Sequence, residues 1–274
     1  MKKIAVLGPE GTYSDIACKK YISDNNLNYE IIYFPNILKT ANAINEATLA
    51  ILPFENTLDG FVVESMDYMI HNKYQIVSQL KLGIDFAFVT NAKSIEDVKY
   101  CYVQFKAYGQ CLDFITKYGF NIIRTQSNME SLEFINNASD IYGAIIPMHV
   151  LNDVNFNLTF ENIADSRNNE TRFFIVQTNE SEIPNYDELE SSIVITALED
   201  RPGILFDILK EFHELDINLK SIMSRPMKTS MGQYRFYIEC SLNKNNLSKL
   251  NKLTEKMSNQ KSFLIDVLGI YNKL

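Results

Sequence analysis

The sequence is poor in the residues on which many enzymes build their chemistry. It has three histidines, His71, His149 and His213, each in an apolar or amphipathic segment and none paired with another. A histidine-based triad or metal centre is therefore not expected. The four cysteines, Cys18, Cys101, Cys111 and Cys240, never make a C-x-x-C pair, which argues against zinc and dithiol redox sites. The first residues, Met1 to Gly8, have too short an apolar run for a signal peptide and read as a strand. Reduced thiols in a cytoplasmic protein are the expectation. Basic residues are outnumbered, 26 Lys and Arg against 34 Asp and Glu, for a formal charge of -8. No basic stripe is left to neutralise a nucleic-acid backbone. No apolar run approaches the length that crosses a membrane. Any chemistry must run on hydroxyls, amides, carboxylates and arginine.

What is present is an ordinary globular composition, 46% hydrophobic over 274 residues, enough for about two domains. Ile4 to Leu7 reads as a strand, and the glycine-bearing loop after it leads to a helix from Asp15 to Tyr21. Thr12 and Ser14 in that loop are N-cap types, so the helix start is a candidate anion site. A second strand spans Glu30 to Phe34, a helix Ile37 to Ala43, and a third strand Leu49 to Pro53. Another polar loop follows, Phe54-Glu55-Asn56-Thr57-Leu58-Asp59-Gly60, before helical spacing from Val62 to Ile70. Leu82 to Thr90 reads as one long strand and a crossover. The β-α-β pattern then resumes, with strands at Tyr100 to Val103, Asn121 to Thr125 and Ile141 to Ile146 and helices at Ala107 to Lys117 and Asn128 to Asn136. In a parallel sheet such polar loops gather at the carboxyl ends of the strands, where ligands bind.

The densest polar stretch is Asn168-Asn169-Glu170-Thr171-Arg172-Phe173, which runs into the apolar strand Phe173 to Val176. A strand fixes its first side chains, so Thr171 offers a positioned hydroxyl and Arg172 a fork suited to a carboxylate. A hydrophilic span from Thr178 to Glu190 reads as a linker. After it come a strand from Ser192 to Leu198, a helix from Pro202 to Leu215 with Asp200 as N-cap, strands at Ile217 to Met223 and Gln233 to Ser241, a helix from Leu247 to Met257, and a strand from Phe263 to Leu268. That β-α-β-β-α-β order is the ferredoxin-like split unit.

Three of these loops together resemble the prephenate dehydratase family. Gly8 to Ser14 is similar to its G-P-x-G-T-[FY]-S, Pro53 to Gly60 to its P-x-E-N-S-x-x-G, and Asn168 to Phe173 to its N-N-x-T-R-F. The second half resembles the ACT regulatory domain through Pro202-Gly203-Ile204-Leu205 and Ser224-Arg225-Pro226. The resemblance implies an α/β catalytic domain over 1–178 with two periplasmic-binding-protein-like lobes, about 1–80 with 165–178 and about 81–164. A linker at 179–190 and an α+β ACT domain at 191–274 would follow.

The implied reaction is the decarboxylating dehydration of prephenate to phenylpyruvate, a cofactor-free hydro-lyase step in phenylalanine biosynthesis. Thr171 would be catalytic. Thr12, Ser14, Asn56, Thr57, Gln110 and Arg172 would bind substrate, with Glu55 and Phe173 in support. L-Phenylalanine would bind at Pro202, Gly203, Ile204, Leu205, Ser224, Arg225 and Pro226, between copies of a homodimer or homotetramer. With the dehydratase motif at its start, the sequence is expected to carry no fused chorismate mutase helix.

Departures from the pattern bear on activity and regulation. The family's S-H-P-Q-A-L-x-Q-C is represented by Val103-Gln104-Phe105-Lys106-Ala107-Tyr108-Gly109-Gln110-Cys111, which loses a hydroxyl at Val103. Thr57 stands for serine, Met223 for the glutamate of E-S-R-P, and Ile204 for the alanine of P-G-A-L. Arogenate dehydration and a non-catalytic amino-acid or carboxylate sensor are the alternatives that these residues leave open.

Overall fold

The computed structural model describes residues 2–45, 47–178, 183–227 and 234–274. In chain order the elements are β1 (Lys2–Leu7), α1 (Tyr13–Asp24), β2 (Tyr29–Phe34), α2 (Ile37–Asn42), β3 (Leu49–Asn56), β4 (Gly60–Phe61), α3 (Val63–Asn72), β5 (Gln75–Gly83), β6 (Phe86–Thr90), β7 (Tyr100–Gln104), α4 (Phe105–Gln110), α5 (Leu112–Tyr118), β8 (Asn121–Thr125), α6 (Asn128–Asn136), β9 (Tyr142–Pro147), β10 (Leu158–Phe160) and β11 (Glu170–Gln177). They continue with β12 (Glu188–Ala197), α7 (Ile204–Glu214), β13 (Leu219–Pro226), β14 (Tyr234–Asn243), α8 (Leu247–Ser258) and β15 (Phe263–Asn272). By internal contacts the chain forms two compact units, Met1–Val63 with Leu80–Phe173, and Glu64–Gln79 with Phe174–Leu274.

The first unit holds two sheets. In one, β1 lies between β2 and β3 and runs parallel to both, with residues 170–173 of β11 and 80–83 of β5 beyond β3. Ile4, Ala5 and Val6 are wholly buried, as a parallel strand covered on both faces requires. The other sheet has the order β10-β6-β9-β7-β8. There β7 is parallel to β8 and β9, while β6 is antiparallel to β9 and β10. Phe88, Phe114, Phe120 and Phe160 fill its core, with Phe88 and Phe120 stacked at 5.0 Å. This is the two-lobed α/β architecture expected.

Short strands β4 and β10 and most of β5 were not anticipated from the sequence, and two elements read as continuous are divided. The single strand from Leu82 to Thr90 is two strands, because Tyr13 takes over the backbone between them. Its hydroxyl accepts from the Asp85 N–H at 3.0 Å and donates to the Asp85 carbonyl. Ile84 N–H turns to the Asn169 carbonyl at 2.8 Å. The single helix from Ala107 to Lys117 is likewise broken, at Cys111, whose φ of -130° and ψ of 30° are not helical. The carboxylate of Asp165 accepts from Leu112 N–H at 2.9 Å and Asp113 N–H at 3.1 Å, and so caps a fresh helix. Nothing adjacent in sequence announces a cap supplied from 52 residues away.

The second unit contains an antiparallel sheet of order β13-β14-β12-β15. Ile193, Ile195, Ile208, Phe212, Leu250 and Leu253 form its core with the α7 and α8 helices. This is the ferredoxin-like order expected. The helix start is corrected, however. Gly203, not Asp200, precedes α7, and its φ of 86° is left-handed, so the helix cannot begin before Ile204. Residues 179–182 of the expected linker, and Gln233 at the expected start of a strand, lie outside the described residues. Glu188 already belongs to β12.

Candidate active site

Within the first unit, a cavity of about 330 Å³ opens where the strands end and their helices begin. Four helix starts reach it, through Thr12 and Ser14 of α1, Ile37 of α2, Lys106 of α4 and Asn128 of α6. Each start is capped by a side chain. Thr12 Oγ1 accepts from Asp15 N–H at 3.4 Å, Asn36 Oδ1 from Lys39 N–H at 2.9 Å, Gln104 Oε1 from Lys106 N–H at 2.7 Å, and Ser127 Oγ from Glu130 N–H at 3.0 Å. Positive helix-end partial charges therefore converge on one space, which suits an anion. Part of the α1 dipole is already answered, since Asp15 accepts from Gly11 N–H at 2.8 Å and Tyr33 Oη at 2.7 Å.

Thr171 lines this cavity with Thr12, Ser14, Asn56, Gln110 and Phe173. The amide of Asn56 organises the group. Its Oδ1 accepts from Leu58 N–H at 2.9 Å and Asp59 N–H at 3.1 Å, which fixes the amide's orientation. Its Nδ2 then donates to Thr171 Oγ1 at 3.0 Å, Asn169 Oδ1 at 2.7 Å and Glu170 O at 3.1 Å. Because Thr171 Oγ1 accepts here, its own proton is available to something in the cavity. Asn169 passes the chain on, donating from Nδ2 to Gln110 Oε1 at 2.8 Å, and Gln110 Nε2 reaches Asp59 Oδ2 at 3.2 Å. Asn169 is 2% exposed, so these amides are satisfied by one another rather than by water.

The other expected site residues lie outside the cavity lining. Arg172 and Thr171 are consecutive on β11, so their side chains leave opposite faces of the strand. Arg172 is buried. It pairs with Glu55 Oε2 at 2.7 Å and lies 5.3 Å from the Phe54 ring centre. Thr57 ties two loops together, donating from Oγ1 to Asn168 O at 2.8 Å and accepting from Glu170 N–H at 3.0 Å. Val103 is wholly buried in the core.

Several lining residues were not singled out from sequence: Asp59, Gln104, Lys106, Ser127 and Asn128. Ser127 and Glu130 have the spacing of a capping box, but Glu130 accepts from the N–H of Gln126, one residue before the cap, rather than from that of Ser127. That spacing was visible and marks the fourth helix start. Beside the cavity, His149 Nε2 donates to the Gly11 carbonyl at 2.8 Å, and its ring meets the Tyr13 ring at 4.9 Å. Burial lowers the His149 pKa, against the opposing effect of that carbonyl, and burial raises the Tyr13 pKa. Among the described residues no group of three or more His, Cys, Asp or Glu is placed to hold a metal ion. No helix among them is long and apolar enough to cross a membrane.

In the second unit, Gly203 and Ile204 form the turn into α7. Ile204 packs on the core, and Leu205 is 36% exposed. Ser224, Arg225 and Pro226 close β13. Arg225 is held by Asp67, with Nε to Oδ1 and Nη2 to Oδ2 both 2.9 Å.

Residues 4–181 match the prephenate dehydratase family, and residues 191–256 match the ACT domain. The chain belongs to the prephenate dehydratase family. The prephenate dehydratase of Methanocaldococcus jannaschii is 31% identical over 265 residues, covering 96% of this chain and 95% of the relative. Among solved structures, the prephenate dehydratase from Staphylococcus aureus has a TM-score of 0.81 at 26% identity, covering 98% of this chain and 100% of that one. The Arthrobacter aurescens prephenate dehydratase in complex with L-Phe has a TM-score of 0.84 at 21% identity, covering 99% and 90%, and supports the same fold. The family's three dehydratase motifs, read separately along the sequence, all contribute residues to the lining of one cavity here.

Proposed function

We propose that the chain catalyses the decarboxylating dehydration of prephenate to phenylpyruvate, a carbon–oxygen lyase reaction. The observation that carries this is the Thr171 hydroxyl, held by Asn56 inside the cavity with its proton uncommitted. Prephenate is a dianion with a ring hydroxyl opposite a carboxylate. Departure of that hydroxyl as water, with one proton taken up, and loss of the carboxylate as carbon dioxide leave an aromatic ring and the phenylpyruvate monoanion. The enzyme has to hold the charges and assist the leaving group. Thr171 donates to the departing oxygen, and Asn56 fixes the threonine so that no reorganisation is needed during the reaction. A threonine hydroxyl is a weak acid, so the donor stabilises the leaving oxygen by hydrogen bonding rather than by proton transfer before C–O cleavage. Ser14 and Thr12, at the start of α1, face the same space and orient the substrate with Gln110.

Incubation of purified protein with prephenate, followed by phenylpyruvate absorbance, tests the reading. Thr171→Ala is expected to lower kcat by about 10²–10³ with a smaller change in KM. No phenylpyruvate from the native protein, or native kcat in Thr171→Ala, would overturn it.

The reading extends to control. Residues 1–178 form the catalytic part, 179–190 the linker and 191–274 the regulatory part, in a cytoplasmic homodimer or homotetramer. L-Phenylalanine binds around Pro202–Leu205 and Ser224–Pro226. Support comes from the ACT match and from the L-Phe held by the Arthrobacter aurescens protein. The exposed Phe206 and Leu264 are apolar surface suited to a second copy.

A further inference from the structure

We propose that Lys106 binds a carboxylate of the substrate, at the position where sequence comparison registers only the loss of the family's S-H-P-Q residues. The inference rests on the prephenate reading. A dianion requires positive charge, and Arg172 is turned to the other face of β11 and bound to Glu55 at 2.7 Å. Among the described residues that line the cavity, Lys106 is the one cation and Asp59 the one anion.

Lys106 is positioned to serve. It stands in the first turn of α4, where Gln104 accepts from its backbone N–H at 2.7 Å and fixes the turn. Its ammonium lies 3.7 Å from Asp59 Oδ2, and the two side chains are 55% and 39% exposed. A pair this long and this hydrated is weak, so an incoming carboxylate can displace it. Asp59 is not abandoned when that happens, because Gln110 Nε2 donates to the same oxygen at 3.2 Å. Without Lys106, a dianion would meet Asp59 as the sole side-chain charge in the lining. The helix starts alone would have to oppose that repulsion.

The test compares native protein, Lys106→Gln and Lys106→Arg, with matched thermal melts to confirm folding. Lys106→Gln is expected to raise KM for prephenate at least tenfold, with kcat changed by less than about threefold. Lys106→Arg should stay within a few-fold of native. Added salt should lower kcat/KM of the native enzyme more steeply than that of Lys106→Gln, since one screened attraction has been removed. Native KM and native salt dependence in Lys106→Gln would overturn the proposal while leaving the dehydratase reading intact. Should the native protein not turn prephenate over, the dehydratase reading falls. Calorimetric binding of prephenate then decides the Lys106 proposal by itself: weaker binding to Lys106→Gln supports it, and equal binding or no binding to the native protein overturns it.

Discussion

At the scale of single residues, the alternation of a β-strand separates two neighbours that sequence reading joined. Thr171 and Arg172 both suit a carboxylate-bearing substrate by residue type, but only Thr171 faces the cavity. Arg172 stabilises the wall behind it through Glu55 and the Phe54 ring. Removing the guanidinium takes away the partner of Glu55 and the contact with the Phe54 ring, and opens a buried space around residue 172. Arg172→Met is therefore expected to lower Tm by about 4–8 °C, corresponding to roughly 2 kcal/mol, while KM for prephenate changes by less than about threefold. A KM raised tenfold with an unchanged Tm would return Arg172 to the substrate. Residue types were legible in the sequence; the facing of each was not, because that depends on which strand borders which. Asn169 shows the same limit. It sits inside a recognised motif, yet its place between Asn56 and Gln110 comes from three segments meeting.

At the scale of elements, the starts and stops that sequence reading placed well are those governed by local chemistry. Expected and observed limits coincide for Asn128–Asn136, whose start is set by Ser127, which accepts from Glu130 N–H three residues on. The break at Cys111 was not legible, since its cause is Asp165. Asp165→Ala should cost about 1 kcal/mol, seen as a fall of about 2–4 °C in Tm. An unchanged melt would show that α5 does not rely on this cap. The turn that presents Thr12 and Ser14 is held by His149 through the Gly11 carbonyl. Its other nitrogen, Nδ1, is buried without a hydrogen-bond partner among the described residues, so protonation there places charge where none of them accepts it. Asp15 and Asp153 favour the charged ring and Lys19 opposes it, but burial outweighs them and the folded pKa lies below the ordinary 6.5. The neutral ring's stabilisation is present in full above that value and is lost as pH falls through the depressed folded pKa. Thermal melts of native protein and His149→Gln between about pH 5 and 7 should therefore converge at the acid end. Parallel curves would assign the acid loss to other groups.

For the whole molecule, the change from repeated β-α units to the split β-α-β-β-α-β order was legible in the periodicity of the chain, whereas the division of the first part into two lobes came from the resemblance of its loop motifs to a known family. The second unit tolerates little at one point. Gly269 has a φ of 155°, and a Cβ there would come 2.3 Å from the Ile76 carbonyl oxygen. Effector binding is tested apart from catalysis. If L-phenylalanine binds the folded chain, it should raise Tm, with about 2.7 kcal/mol of stabilisation when present at a hundred times its Kd. No shift at any concentration would remove the regulatory half of the proposal.

The Asn56 amide bonds residues 113 to 115 positions further along the chain. Local order cannot create such a junction, since a long loop must close before its bonds can form. Helical signal should accordingly return early when denatured protein is diluted into buffer, and turnover should return only when the last distant segments meet. The enzyme thus reports on its own completion: a chain that is partly assembled is silent.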